Sequence, residues 1–214
     1  MGYSLSWLAV KGKSPVAVRA ALGLRPTGAR ESIPEADLSA AELPGGWHLI
    51  VSDHTEHVAP DAALQMLFAG CELVTCFVEE HVMCSAAAGW KDGRKLWSVT
   101  HDAQRGGDHL AADGDLPPDY AAISARLLAK QHADDLKKPP SSRRWQRKSK
   151  DFSQMRCDYI FNIPVELAQA LTGYTHDEDI PGQTGEPFEV LTGGSPTASA
   201  EPARKSFFKK LFGR

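Results

Sequence analysis

The middle of the chain constrains the fold more than any other part of this sequence. Residues 71–78 are apolar on both alternations of a strand, which is typical of a central strand covered on both faces. Two further strand-like runs follow over 82–90 and 95–102, and Asp92 and Gly93 lie in the short connection between them. Asp-Gly between two such runs is the strongest short-range signal for a β-hairpin. The sequence therefore predicts three consecutive strands, of which the last two form a hairpin.

Strands and helices alternate on both sides of this hairpin. The hydrophobic periodicity predicts further strands over 3–10, 47–52 and 158–161, and helices over 15–22, 60–69, 118–135 and 164–172. Ser14 and Pro15 mark a helix start, Gly23 marks a helix end, and 25–45 is interpreted as a long connection. We therefore predict an α+β fold, with helices packed on a mostly antiparallel sheet of about five to six strands.

Charge divides the second half of the chain into blocks that the formal net charge of −3 conceals. Residues 137–156 carry a net charge of +7, residues 157–203 carry −8 without any Lys or Arg, and residues 204–214 carry +5. We interpret 1–191 as a single domain that contains 137–156 as a mobile basic insert. By composition, 192–203 is a flexible linker and 204–214 a separate basic tail.

Composition indicates a soluble globular protein, with 42% apolar and 24% charged residues. No apolar run approaches the roughly 18 residues that a membrane-spanning helix needs, and the first residues do not resemble a secretory signal. The four cysteines (Cys71, Cys76, Cys84 and Cys157) form no CxxC pair. These features predict a cytoplasmic protein with reduced, buried thiols, which associates with a membrane at most peripherally through its tail.

The hairpin register predicts a candidate site. If Asp92 and Gly93 are the two turn residues, Cys84 lies opposite His101 at the open end of the hairpin. Glu79, Glu80 and His81 enter the same region from the preceding turn. The candidate metal ligands are Cys84, His101, His81 and Glu79, and a Cys–His pair could also act as a nucleophile and its base. The alternative is core packing, and a one-residue shift of register would separate the pair.

Other chemical motifs are weak. The sequence has no GxGxxG, GxxxxGK[ST], GxSxG or HExxH motif, so it predicts no organic cofactor and favours a binding module over an enzyme. His54 and His57 follow a strand end, and 176–179 is an acidic cluster that could attract a divalent cation. Both segments are equally typical of solvated surface loops. In the basic insert, Trp145 lies among arginines and could stack on nucleic acid, although a solvated loop explains it as well.

The C-terminal segment 204–214 carries the sharpest interaction signal. Its large apolar residues recur at i, i+1, i+4 and i+5, so a helix would place them on one face between basic residues: Phe207, Phe208, Leu211 and Phe212, with Lys209 and Lys210. Such a segment suits an anionic membrane surface or an apolar groove on a partner protein. Docking on its own domain and simple disorder are the alternatives.

These features lead to two hypotheses about function. The first is a non-enzymatic cytosolic binding or adaptor module whose tail recruits it to a protein or a membrane. The second is a metal-dependent or cysteine-based enzyme that uses Cys84 and His101. The two hypotheses differ in geometry, since the enzyme requires these side chains to converge in an open pocket. The sequence leaves the substrate, the partner and the oligomeric state open.

Overall fold

A computed structural model describes residues 2–53, 64–65, 68–137 and 157–193. Within them, nine strands form one sheet: β1 Ser4–Lys11, β2 Leu24–Glu31, β3 Leu38–Leu43, β4 Trp47–Ser52, β5 Glu72–Glu79, β6 Cys84–Lys91, β7 Arg94–Asp102, β8 Ala111–Gly114 and β9 Phe188–Gly193. The helices are α1 Pro15–Leu22, α2 Asp119–Lys137 and α3 Asn162–Thr172. The strand order is β2-β9-β3-β4-β1-β5-β6-β7-β8, and every pairing is antiparallel. The predicted α+β class is confirmed, whereas the predicted five to six strands were too few.

The additional strands lie where the sequence has weak strand signals. β2 and β3 occupy the segment 25–45, which we interpreted as a connection. β2 contains Pro26 and Gly28, and its pairing with β9 shifts register between Pro26 and Arg30. Proline and glycine are tolerated in such an irregular edge strand, and they hide it from periodicity. The strand predicted over 158–161 was wrong, because these residues form the turn that leads into α3.

Local sequence signals explain the ends of α1. The Ser14 hydroxyl accepts a hydrogen bond from the backbone N–H of Ala17 at 3.2 Å, and Pro15 occupies the first turn. Gly23 ends the helix in the left-handed conformation at φ 70°. These are the start and the end that the sequence predicts. The last strand of the described residues, β9, extends to Gly193.

The sheet buries apolar side chains on both faces. On one face, which we call the α3 face, α3 packs against β5, β6 and β7, and α2 packs against α3. Trp7, Val99 and Leu167 lie in the core of this face. On the opposite face, which we call the α1 face, Val18 of α1 joins a second cluster that contains Ile50. A sheet covered on both faces explains why several of its strands lack a polar alternation.

The β6–β7 hairpin turns where the sequence predicts. Asp92 and Gly93 have φ of 53° and 75°, the left-handed pair that a type I′ turn requires. Trp90 pairs with Lys95, but the next pair is Gly89 with Trp97, so Leu96 is an extra residue in β7. The Leu96 carbonyl accepts a hydrogen bond from the backbone N–H of Asp115 at 2.8 Å. This bulge therefore anchors the end of β8 and changes the register of the rest of the hairpin.

Both edges of the sheet are poor templates for a further strand. β8 has four residues, all exposed, and β2 is interrupted by its bulge. Short or irregular edge strands are a common protection against edge-to-edge association. Association of this protein with another chain is therefore better sought on its other surfaces.

Candidate functional site

The predicted pairing of Cys84 with His101 is wrong by one residue. Cys84 pairs with Asp102, and Ser85 pairs with His101. The Leu96 bulge causes this shift, because each position beyond it on β7 faces a residue one place farther along β6. Successive side chains of a strand point to opposite faces, so Cys84 lies on the α1 face and His101 on the α3 face. The two side chains cannot act together.

His101 is completely buried and both of its ring nitrogens face oxygen acceptors. Nε2 lies 3.0 Å from Oδ2 of Asp158, and Nδ1 lies 2.6 Å from the carbonyl oxygen of His109. Burial acts to lower the pKa of His101, but the hydrogen bond and charge of Asp158, aided by the His109 carbonyl, raise it above its ordinary value. An oxygen acceptor at each nitrogen favours the protonated ring, which donates from both nitrogens. Neither nitrogen of His101 is open to a substrate, so the geometry favours a structural role.

The partners of His101 tie three segments together. Asp158 also accepts a hydrogen bond from the backbone N–H of Phe161 at 3.1 Å, in the turn that precedes α3. Ser85, opposite His101, donates its hydroxyl to the Phe161 carbonyl at 2.6 Å. On the other side, Nδ1 of His109 accepts the backbone N–H of Asp102 at 3.0 Å. This network fixes the β6–β7 hairpin to the loop before β8 and to the start of α3.

Cys84 lies in an environment that suppresses thiol reactivity. It is buried between two carboxylates, since β6 places it opposite Glu79 on β5 and opposite Asp102 on β7. Burial raises the pKa of the Cys84 thiol to about 12, with further contributions from the charges of Asp102 and Glu79. The thiolate is the nucleophilic form of cysteine, and at neutral pH Cys84 is a protonated thiol.

Glu79 and His81 contact each other at the end of β5. One oxygen of Glu79 accepts the Ser4 hydroxyl at 2.6 Å, and the other faces Nδ1 of His81 at 2.8 Å. Burial acts to raise the pKa of Glu79, but hydrogen bonds from Ser4 and His81 lower it overall. The set predicted as metal ligands does not assemble, because His101 lies on the other face. Among the described residues, no group of three or more His, Cys, Asp or Glu is arranged to hold a metal ion.

A second polar cluster joins residues that are far apart in the sequence. The side chain of His176 is 5% exposed, its Nε2 lies 3.8 Å from Oε1 of Glu80, and its ring packs edge-on against Tyr3 at 4.8 Å between centroids. Burial lowers the pKa of His176, and its Nδ1 has no hydrogen-bond partner among the residues that the structure describes. Sequence reasoning identified His176 only as part of an acidic cluster. Only the pairing of β1 with β5 and the path of the chain after α3 bring these residues together.

The acidic segment 176–179 is spread over several partners. Asp177 accepts the Thr175 hydroxyl at 2.7 Å, and Glu178 accepts an amide hydrogen from Gln169 at 3.0 Å. His176 turns toward Glu80 instead. The predicted attraction of a divalent cation would require these carboxylates to share one point. The described contacts direct them toward separate neighbours.

The remaining predicted interaction segments lie outside the described residues. They are the loop with His54 and His57, residues 138–156 of the basic insert, and the linker and tail from 194 to 214. The described residues contain 23 acidic and 12 basic side chains, a formal net charge of −11. The other residues contain 4 acidic and 12 basic side chains, a formal net charge of +8. The charge division predicted for the second half of the chain therefore extends to the whole molecule.

Thiol alkylation tests the environment of the cysteines. Cys71, Cys76 and Cys84 are buried and Cys157 is exposed, and burial raises the pKa of the first three. We expect iodoacetamide at neutral pH to add a single group to the folded chain, at Cys157, as measured by intact mass and peptide mapping. The Cys157→Ser variant should then remain unmodified until it is unfolded. Rapid modification of Cys84 in the folded chain would contradict this assignment.

None of the helices in the described part of the chain is both long and apolar enough to cross a membrane. Comparison of the chain with protein-family models, with curated proteins and with solved structures finds no match.

Proposed function

We propose that this protein is a non-enzymatic cytosolic binding or adaptor module that docks through its C-terminal tail, residues 204–214. The observation that carries the proposal is the division of charge. The described residues have a formal net charge of −11, whereas the tail carries +5 and four large apolar residues. The tail therefore has a surface chemistry that the acidic body lacks, which is typical of a segment that makes a contact of its own.

An anionic membrane surface is the target that this tail fits best. Each basic residue near such a surface contributes about 1 kcal/mol of attraction, and bulky apolar side chains add partitioning into the interface. The acidic body must stay away from the same surface. Ten residues, 194–203, separate β9 from the tail. Their composition predicts a flexible linker, and a coil of ten residues would span about 17 Å, roughly two Debye lengths at physiological salt. Over that distance the repulsion between body and membrane would be screened.

The catalytic alternative has lost its geometric basis. It required Cys84 and His101 to meet in an open pocket, but they lie on opposite faces of the sheet. The pKa of the Cys84 thiol is raised to about 12, and both nitrogens of His101 are hydrogen-bonded to oxygens. The polar residues at the open end of the hairpin form hydrogen bonds that connect the hairpin to other segments of the fold. This supports a role in binding rather than in catalysis.

Vesicle flotation tests the proposal directly. We expect the full chain to float with vesicles of phosphatidylcholine and phosphatidylserine. It should not float with vesicles of phosphatidylcholine alone. A chain that ends at Ala203 should not float with either, because it lacks both the basic and the apolar residues of the tail. Flotation should also weaken as the salt concentration rises. Thermal unfolding of both chains serves as the control for folding.

Matched tail variants separate the two contributions to docking. Replacing Phe207, Phe208, Leu211 and Phe212 by alanine removes the apolar face and leaves the charge. Lys209→Gln with Lys210→Gln lowers the charge of the tail from +5 to +3 and leaves the apolar face. Both variants should reduce flotation. Equal flotation of the full and shortened chains would overturn the proposal. A lower thermal stability of the shortened chain would instead indicate that the tail packs on its own body, and binding to neither type of vesicle would favour a protein groove.

A further inference from the structure

The solvent-facing side of α2 has an unusual composition. The helix turns Tyr120, Ser124 and Leu127 toward the body of the protein. At 3.6 residues per turn, an arc of about 140° on the opposite side contains eight exposed residues. None of them is Asp, Glu, Lys or Arg: Ala121, Ala122, Ala125, Leu128, Ala129, His132, Ala133 and Leu136. We call this surface the outer face of α2. A solvated helix normally places its charges on this side.

The two basic side chains in the middle of α2 turn away from the outer face. Arg126 forms an ion pair with Glu166 of α3, and the Lys130 ammonium lies 5.9 Å from the centre of the Tyr159 ring. Both basic residues therefore contact the body of the protein. Leu128 and Leu136, in contrast, are 42% and 70% exposed. The amphipathic pattern of this helix thus points its uncharged side outward, which is typical of a helix that packs against another chain.

The outer face is complementary to itself. Its N-terminal half carries only alanines, whereas Leu128, His132 and Leu136 lie in the C-terminal half. When two copies of the helix run antiparallel, the large residues of each half face the small residues of the other. Leu136 then meets Ala121 of the second copy, and Leu128 meets Ala129. Large side chains opposite small ones allow close packing of helices, and the same patch on both partners is what a two-fold contact requires.

Charge at the two ends of the helix favours the same arrangement. Asp119 begins α2 and Lys137 ends it, and both are exposed. In the antiparallel pair, Asp119 of one copy lies at the level of Lys137 of the other, and this contact occurs twice. The two helix dipoles also run in opposite directions, which is favourable. A parallel pair would place like charges and like residue sizes together.

We propose that the outer face of α2 is the contact between two copies of this chain, packed antiparallel about a two-fold axis beside Leu128 and Ala129. From Ala121 to Leu136 the face is about 23 Å long, which is small beside standard interfaces. The dimer is therefore weak and reversible. It does not depend on the tail, but it would join two tails in one particle and strengthen their attachment to a surface.

Analytical ultracentrifugation of the full chain over a range of concentrations tests the proposal. The wild-type chain should shift from monomer to dimer as its concentration rises. Leu128→Glu or Leu136→Glu should raise the dissociation constant at least about a hundredfold, since each change is present twice per dimer and buries a charge against alanine. Val16→Glu is the matched control, because Val16 is 68% exposed on α1. A monomeric wild type, or dimers unaffected by both leucine variants, would overturn the proposal.

Disulfide trapping tests the antiparallel arrangement. A Cys157→Ser background removes the exposed thiol of the described residues. Ala129→Cys lies beside the two-fold axis and should form a disulfide-linked dimer on oxidation. Ala121→Cys should not, because its counterpart lies about 23 Å away along the helix, whereas the double variant Ala121→Cys/Leu136→Cys should link. Equal linking of the two single variants would indicate a parallel pair, and absence of linking at Ala129→Cys would also overturn the proposal.

Discussion

Replacing His101 by alanine is expected to lower the free energy of unfolding by about 3–5 kcal/mol, the range for breaking a buried ion pair. The His101 side chain is fully buried, and that of its partner Asp158 is 10% exposed. The substitution leaves the Asp158 carboxylate without its cation and removes the link to the loop before β8. Urea unfolding at neutral pH measures the change. His81→Ala is the matched control, because His81 is a 63% exposed histidine that also contacts a carboxylate.

The same pair predicts a pH dependence of stability. The pKa of His101 in the folded chain lies above its ordinary value of 6.5. The stabilisation from its protonated form is therefore complete below pH 6.5 and is lost as the pH rises through the folded pKa. We expect the stability difference between the wild type and His101→Ala to shrink over that interval. A difference that stays constant from mildly acidic to alkaline pH, or a His101→Ala variant as stable as His81→Ala, would contradict this role.

Gly89→Ala is expected to be the second most damaging substitution, with a loss of about 3 kcal/mol, the upper end of the usual range for overpacking. The indole ring of Trp97 lies across Gly89 on the α3 face, so an added Cβ would overlap the ring. Trp97 is itself buried against the core, and relieving the overlap would disturb the strand pair at the Leu96 bulge. Thermal unfolding and near-ultraviolet circular dichroism measure the loss of stability and of tryptophan packing.

Gly107→Ala is the control for this substitution. A Cβ at Gly107 would meet no atom of the described residues within 4 Å, and the backbone there is not left-handed. It should change the stability little, since only the entropy of the unfolded chain is affected. If Gly89→Ala were as stable as Gly107→Ala, the close approach of Trp97 to the strand would be wrong, and with it the register of this part of the hairpin.

The sequence predicted the turn of the β6–β7 hairpin but not the register of its strands. Asp-Gly predicted the position of the turn because both residues tolerate the left-handed conformation that it requires. The pairing next to the turn, Trp90 with Lys95, is as predicted, but the Leu96 bulge shifts all later pairs. Neither Leu96 nor its neighbours is a glycine or proline that would signal a bulge. The bulge fits Trp97 over Gly89 and connects the Leu96 carbonyl to the end of β8, and these contacts are not local.

Local sequence patterns also could not predict that Asp158 is the partner of His101. Asp158 lies 57 residues away and was interpreted as the start of a strand. The sequence pointed to His101 as a candidate metal ligand or base at the open end of the hairpin. The direction of its side chain, and therefore its chemistry, depended on the register. A shift of one residue places a hydrogen-bonded, buried histidine on one face of the sheet and a buried thiol on the other, in place of the predicted catalytic pair.

By itself, the sequence determined the features that depend on residues close together in the chain. These are the capped helix α1, the long helix α2, the turn at Asp92 and Gly93, and the separation of an acidic body from basic segments. Tertiary structure alone decided the insertion of β9 between β2 and β3, the side of the sheet that each strand residue faces, and the outward direction of the uncharged side of α2. The physical reason is range: caps, turns and periodicity act over a few residues, whereas register and strand order follow from packing between distant segments.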